Sequence, residues 1–202
     1  MKVLWIVNVI FPAPSKFLGL PVPTVGGWMY GLAEKVAKSD NIELAVVTVY
    51  SGNKIERVTL DGVDYFLLPS KNNIEYDKKL EYYWTEILPE IKPEVVHIHG
   101  TEYSHGLACM RAFPDGDYVI SIQGLVSTYA KYYLGGIGFW DILRNTTLRD
   151  LVKNDSLFQA KKRFKNRGIL EREYMRRTNH LIGRTQWDRV HSRSLNISAK
   201  YH

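Results

Sequence analysis

"MKVLWIVNVI", residues Met1 to Ile10, runs into "FPAPSKFLGLPVPTVGGWMYGLAEKVAK", Phe11 to Lys38, and this stretch decides how the whole chain reads. Its opening is nearly continuous in apolar side chains, as in a strand buried on both faces of a parallel sheet. A proline-rich loop follows. Gly26-Gly27 then open a segment in which Met29, Leu32, Ala33, Val36 and Ala37 recur at i, i+3, i+4, i+7 and i+8, the spacing of an amphipathic helix. Two glycines at a helix start leave bare backbone that a ligand can approach closely. Unpaired N–H groups and the helix dipole there favour an anion, a phosphate first. The competing reading is a tight turn and nothing more. The motif is neither G-x-G-x-x-G nor G-x-x-x-x-G-K-[ST], and the loop before it is long, so a dinucleotide fingerprint and a P-loop are both disfavoured.

The same alternation continues downstream. Apolar runs at Val3–Val9, Ile42–Val49, Val63–Leu68, Glu94–Ile98, Tyr118–Ile122 and His180–Gly183 read as strands. The first, second, fourth and fifth are continuous enough to predict burial on both faces. Helices are predicted after Gly27, over Ile74–Ile91 with Pro89 bending or ending it, over Thr101–Ala112 with Thr101 as N-cap, and over Trp140–Val152 and Leu157–Arg177. This order predicts a Rossmann-like, doubly wound α/β domain with a mostly parallel sheet and helices on both faces.

Composition fits one globular domain. The chain has 202 residues, 45% of them hydrophobic and 24% charged. Its single cysteine, Cys109, rules out an internal disulfide framework and leads to the expectation of a cytoplasmic protein. Lys2 ahead of an apolar run invites comparison with a signal peptide, but Asn8 interrupts the run, and Pro12 and Pro14 follow without a small-residue cleavage pattern. No apolar run approaches the roughly 20 residues of a membrane helix. The net charge of +6 is concentrated: eleven basic and four acidic residues lie between Arg144 and Arg177, and the remainder is close to neutral. That segment reads first as a solvated face. Peripheral contact with the inner, anionic face of a membrane is the functional alternative. Nucleic acid is disfavoured, because no positive stripe continues across the rest of the domain.

Several side chains fall at predicted strand ends, where open α/β sheets bind ligands. In "EVVHIHGTEYSHG", His97 and His99 share one strand face, with Glu102 and His105 just beyond. Their spacing matches no trusted zinc signature, so no metal is expected. His97 reads as a satisfied core histidine and His99 as cleft-facing. "VISIQGL" places Gln123-Gly124 at the next strand end, where the amide suits a polyhydroxylated ligand or a helix cap. Tyr129, Tyr132, Tyr133, Phe139 and Trp140 offer a stacking surface, an interface or core. Arg184 and Thr185, in "GRTQWDR", face the same cleft; Arg184 suits a phosphate or an ion pair with Asp188.

"MKVLWIVNVIFPAP", "GGWMYGLAEKVA", "PEVVHIHGTEYSHGLA", "VISIQGL" and "HLIGRTQWDR", in this order and spacing, resemble the N-terminal domain of retaining family 4 glycosyltransferases of the GT-B fold. The resemblance covers nearly the whole chain. It implies a single domain, 1–202, with a helical basic insertion at about 137–178, and absence of the second domain that holds the nucleotide in such enzymes. It implies transfer of a sugar from a nucleotide-diphosphate donor to a glycan, lipid or small-molecule acceptor in glycan biosynthesis. No cofactor and no obligate metal are implied, and a half on its own would be inactive. Gly26 and Gly27 match the glycine-rich loop near diphosphate and acceptor, and His99 and Gly100 the strand end bordering the acceptor pocket. Gln123 stands where many members carry a histidine that touches the transferred sugar, which removes any role needing an imidazole. Gly124 adjoins it, and Arg184 and Thr185 match the last cleft-facing strand end. Gln123 and His99 would then orient sugars. A non-enzymatic Rossmann-like module that binds a carbohydrate or an anionic partner is the alternative.

Overall fold

The computed structural model describes residues 1–71 and 75–202. These residues form β1 (Lys2–Ile6), α1 (Pro12–Phe17), α2 (Gly27–Ala37), β2 (Glu43–Tyr50), β3 (Glu56–Leu60), β4 (Val63–Pro69), α3 (Lys79–Ile91), β5 (Val95–His99), α4 (His105–Ala112), β6 (Tyr118–Ser121), α5 (Val126–Tyr132), α6 (Phe139–Asn145), α7 (Leu148–Val152), α8 (Leu157–Arg177), β7 (His180–Ile182), α9 (Gln186–Leu195) and β8 (Lys200–Tyr201). The strands make one sheet in the order β3-β4-β2-β1-β5-β6-β7-β8. Every neighbouring pair is parallel except β3–β4, an antiparallel hairpin. The expected Rossmann-like, mostly parallel α/β architecture is present. The winding reverses between β1 and β5, so the topological switch point lies at their carboxyl ends.

Alternation along β1 splits the core in two. Leu4 and Ile6 join Val47, Ile98 and Ile120 against Trp84 and Ile87 of α3, Leu107 of α4, and Tyr174 and Met175 of α8. Val3, Trp5 and Val7 join Val46, Tyr65 and Leu67 against Phe11 and against Met29 and Ala33 of α2. The second layer reaches across β1, β2 and β4 and stops there. Burial therefore runs unbroken through the middle of β2 but alternates in β5, β6 and β7. This corrects the expectation for Glu94–Ile98 and Tyr118–Ile122. Their apolar residues Val96, Ile98 and Ile120 face the larger core, whereas His97, Val119 and Ser121 face away from it and stay half-buried.

Other boundaries move for local reasons. α3 starts at Lys79, whose amide donates to the Asp77 carboxylate, and Ile74 lies outside the described residues. Pro89 sits within α3 without ending it; the stop comes at Lys92, in left-handed backbone with φ of 50°. α4 begins at His105, not after Thr101, because Gly100 turns the chain at φ of +90° and Thr101 spends its hydroxyl on Glu171. The Trp140–Val152 helix is two helices. Thr147 breaks the run by forming a capping box with Asp150 that starts α7. Leu157–Arg177 is one helix, as expected, started by a Ser156–Gln159 capping box.

Candidate functional site

Gly26 caps α2 at φ of +81°, a conformation glycine adopts without strain, and a Cβ there would lie 2.8 Å from Val9 Cγ2. Gly27 is different: a Cβ on it would meet nothing within 4 Å. No side chain caps α2. The Met29 and Tyr30 amides bond back to the Gly26 carbonyl, and those of Gly27 and Trp28 have no partner among the described residues, beside a recess of about 60 Å³ bounded by Val9, Phe11 and the two glycines. Gly27 thus opens at the carboxyl edge, whereas Gly26 packs against Val9 and Met29.

Next to it, a cavity of about 320 Å³ lies over the tips of β6 and β7, lined by Trp28, Ser121, Ile122, Gln123, Ile182 and Arg184. Trp28, in the first turn of α2, is the exposed aromatic wall. The Gln123 side-chain Nε2 lies 3.7 Å from Met29 Sδ, and the Gln123 main-chain carbonyl accepts a 3.0 Å hydrogen bond from Arg184 Nη2. Asp188 does not pair with the Arg184 guanidinium. Its carboxylate instead accepts from the Arg184 and Thr185 amides at 3.0 and 3.1 Å, leaving the guanidinium at the cavity. The Thr185 hydroxyl accepts from the Asp188 amide and is committed to starting α9.

His99 lies beneath this wall, 1% exposed, with its ring centroid 4.0 Å from His97, 4.6 Å from Trp5 and 6.1 Å from Trp28. Neither ring nitrogen has a partner among the described residues. Burial, with His97 beside it, pushes its pKa down to about 3, so the ring is neutral. It supports Trp28 from below and does not line the cavity. His97 is half-buried, shares a 2.7 Å hydrogen bond with the Ser121 hydroxyl, and has its pKa pushed down to about 4 by burial.

Gly100 and Gly124 make room for Glu102, a residue given no site role by the sequence. A Cβ on Gly100 would lie 2.1 Å from Glu102 Oε2, and one on Gly124 3.4 Å from Oε1. Asn8, after β1, donates to Oε2 at 3.2 Å and to the His99 carbonyl at 3.2 Å. The pair straddles the switch point. Burial raises the Glu102 carboxyl pKa, opposed by a backbone hydrogen bond, by the Arg167 charge and by Asn8. Arg167 donates to the Glu102 carbonyl at 2.8 Å, which assigns one cation of the basic segment to structure. Glu171 of α8 is fully buried and accepts from the Val126 and Ser127 amides and the Ser127 hydroxyl, so it caps α5. Trp28 and Asn8 escaped sequence reasoning. Their signal was position alone, one residue past the glycine pair and two past the first strand.

Among the described residues no three His, Cys, Asp or Glu side chains sit close enough to hold a metal ion. His105 is buried beside α3 and donates nothing to such a group; its Nε2 lies 3.1 Å from the Val7 carbonyl. A larger cavity, about 490 Å³, opens at the ends of β2 and β4 between Gly52, Pro69 and Tyr76. It shares no lining residue with the cavity over β6 and β7.

No known protein family matches the sequence, and no curated protein matches it. Among solved structures the fold is similar to a sucrose-phosphate synthase from Thermosynechococcus elongatus, with a TM-score of 0.62 and 10% identity. The likeness covers all of this chain and 47% of the other, so the chain spans about half the length of that structure. At this identity the likeness is one of fold. It agrees with a GT-B-like half and does not reach family 4 or a retaining reaction.

Proposed function

We propose that this domain is the acceptor-binding half of a glycosyltransferase that takes its sugar from a nucleotide-diphosphate donor. The observation that carries the reading is the cavity of about 320 Å³ that joins an aromatic wall, an amide and a guanidinium beside an uncapped helix start. A sugar needs a flat apolar face for its ring and neutral hydrogen-bonding groups for its hydroxyls. Trp28 and Gln123 are of those kinds. A diphosphate needs cations and N–H donors. Arg184 and the first amides of α2 are of those kinds, and they would offset charge developing on the leaving group. His99 positions Trp28 from below. Retention, with the donor's own phosphate assisting on the same face, is the family-level part of the proposal. The fold likeness to a sugar-phosphate-forming enzyme supports the coarser reading.

The test is calorimetric titration of the chain with neutral oligosaccharides and with nucleoside diphosphates. Saccharide binding should weaken at least about tenfold in Trp28→Ala and Gln123→Ala, the loss of a stacked ring or a paired amide. Binding that ignores both substitutions would overturn the assignment of this cavity. Transfer to an acceptor when the domain is joined to a nucleotide-binding partner half separates an enzyme from a carbohydrate-binding module.

A further inference from the structure

α7 buries none of its residues, yet three of its five are large and apolar. Leu148 is 82% exposed, Val152 83%, and Leu151 lies between them in the same open setting. Trp140 on α6 is 67% exposed, and Phe139 and Leu143 stand out with it. These helices are not loose appendages. The Phe139 ring packs 5.4 Å from Phe158 of α8, and α6 buries Ile142. The turn after α7 is fastened to the start of α8: Asn154 accepts from Gln159 and Arg163, and Asp155 pairs with Arg163 at 3.2 Å. So α6 and α7 are each tied to the first turns of α8, and each carries an exposed apolar face, Phe139, Trp140 and Leu143 on one and Leu148, Leu151 and Val152 on the other. Exposed apolar faces of this kind mark a docking site.

Its charges select the occupant. Arg144 and Lys153 directly follow Leu143 and Val152 in the chain, Lys161 and Lys162 lie in the second turn of α8, and none of the four forms an ion pair among the described residues. A second copy would bring the same unpaired cations against them. Nucleic acid would match the charge but leaves Leu148, Leu151 and Val152 without a role, because stacking on bases needs flat rings. A bilayer carrying anionic headgroups satisfies both features at once: cations meet phosphates, aromatic rings sit at the headgroup level, and branched chains enter the acyl boundary. We propose that α6, α7 and the start of α8 dock on an anionic membrane surface, with Trp140, Leu148 and Val152 as the inserted side chains. The inference stands apart from the sugar-binding reading, since it uses none of the residues at the strand tips.

The experiment is co-flotation of the full chain with phosphatidylcholine vesicles, with and without phosphatidylglycerol, alongside tryptophan fluorescence. Anionic lipid should raise the bound fraction at least about tenfold, and the emission should shift to the blue. The double variant Leu148→Glu/Val152→Glu should abolish flotation while circular dichroism and the thermal midpoint stay unchanged, because neither side chain is packed. Trp140→Phe should remove the blue shift and keep most of the binding. Wild-type protein that ignores anionic vesicles would overturn the proposal. So would undiminished flotation of the double variant, or a concentration-dependent dimer that the double variant dissolves.

Discussion

Strands β1, β2 and β4 and strands β5, β6 and β7 share one sheet but differ in what their second face meets. On the first side, α2 and the loop before α1 close over Val3, Trp5, Val46 and Tyr65, and both faces are apolar. On the other, the corresponding positions are His97, Val119, Ser121 and Ile182, half-buried or exposed, with His99 buried among them under Trp28. The polar set is not scattered. The pairing of β5, β6 and β7 brings His99, Ser121 and Ile182 abreast, and the chain exits those strands through Gly100, Gln123 and Arg184. One half of the sheet supplies stability, and the other supplies surface with chemistry on it.

Substitution should expose this difference most strongly in stability. Leu44→Ala, on the covered face, should cost about 3 kcal/mol, since it leaves a cavity between α2 and the sheet. Ile182→Ala, on the same face of the open half, should cost less than about 1 kcal/mol, because water already reaches it. Equal losses in urea denaturation would break the comparison.

Acid should come next. The buried imidazoles of His105, His99 and His97 have pKa values pushed down from 6.5 to about 4, 3 and 4. The unfolded chain takes up these protons below about pH 6.5, while the folded chain refuses them until about pH 4. Stability is therefore full above pH 6.5 and lost as the pH falls toward 4, by about 3 kcal/mol for His105 alone. His99→Phe should flatten that loss in urea midpoints measured from pH 7 to 4. An unchanged slope would show that His99 is solvated and that Trp28 does not seal it.

The smallest contrast is within the glycine pair. Gly26→Ala should destabilise by about 1–2 kcal/mol through left-handed strain and the Val9 contact. Gly27→Ala should leave stability unchanged or raise it by up to about 1 kcal/mol, since the new methyl meets open space and alanine suits a helix. Thermal melts of the two variants read this directly.

Much of the architecture was legible in the sequence because continuous apolar runs and 3.6-residue spacing are single-chain signals. The β3–β4 hairpin is legible too. Asp61-Gly62, both at positive φ, is the two-residue turn that flanking alternation advertises. What could not be read was cover. "VVHIH" and "YVISIQ" look nearly as apolar as "KVLWI", and only the extent of α2 decides that their second face stays open. The site shows the same limit. Gly26, Gly27, Gln123 and Arg184 were legible as strand-end and helix-start residues. His99 was legible as lying on the correct face but not as lying under Trp28, because that depends on a side chain from a helix about 70 residues away. Gly100 and Gly124 were read as ligand approaches, and they also make space for Glu102, a contact no local pattern encodes.

The claim that the open half carries the ligand is tested most directly by nuclear magnetic resonance shift mapping with an added oligosaccharide and uridine diphosphate. Binding over the tips of β6 and β7 predicts saturable shifts at the Gly27 amide, the Trp28 indole N–H, the Gln123 side-chain amide and the Arg184 guanidinium. Shifts confined to the neighbourhood of Gly52, Ser70 and Tyr76, or absent altogether, would contradict it.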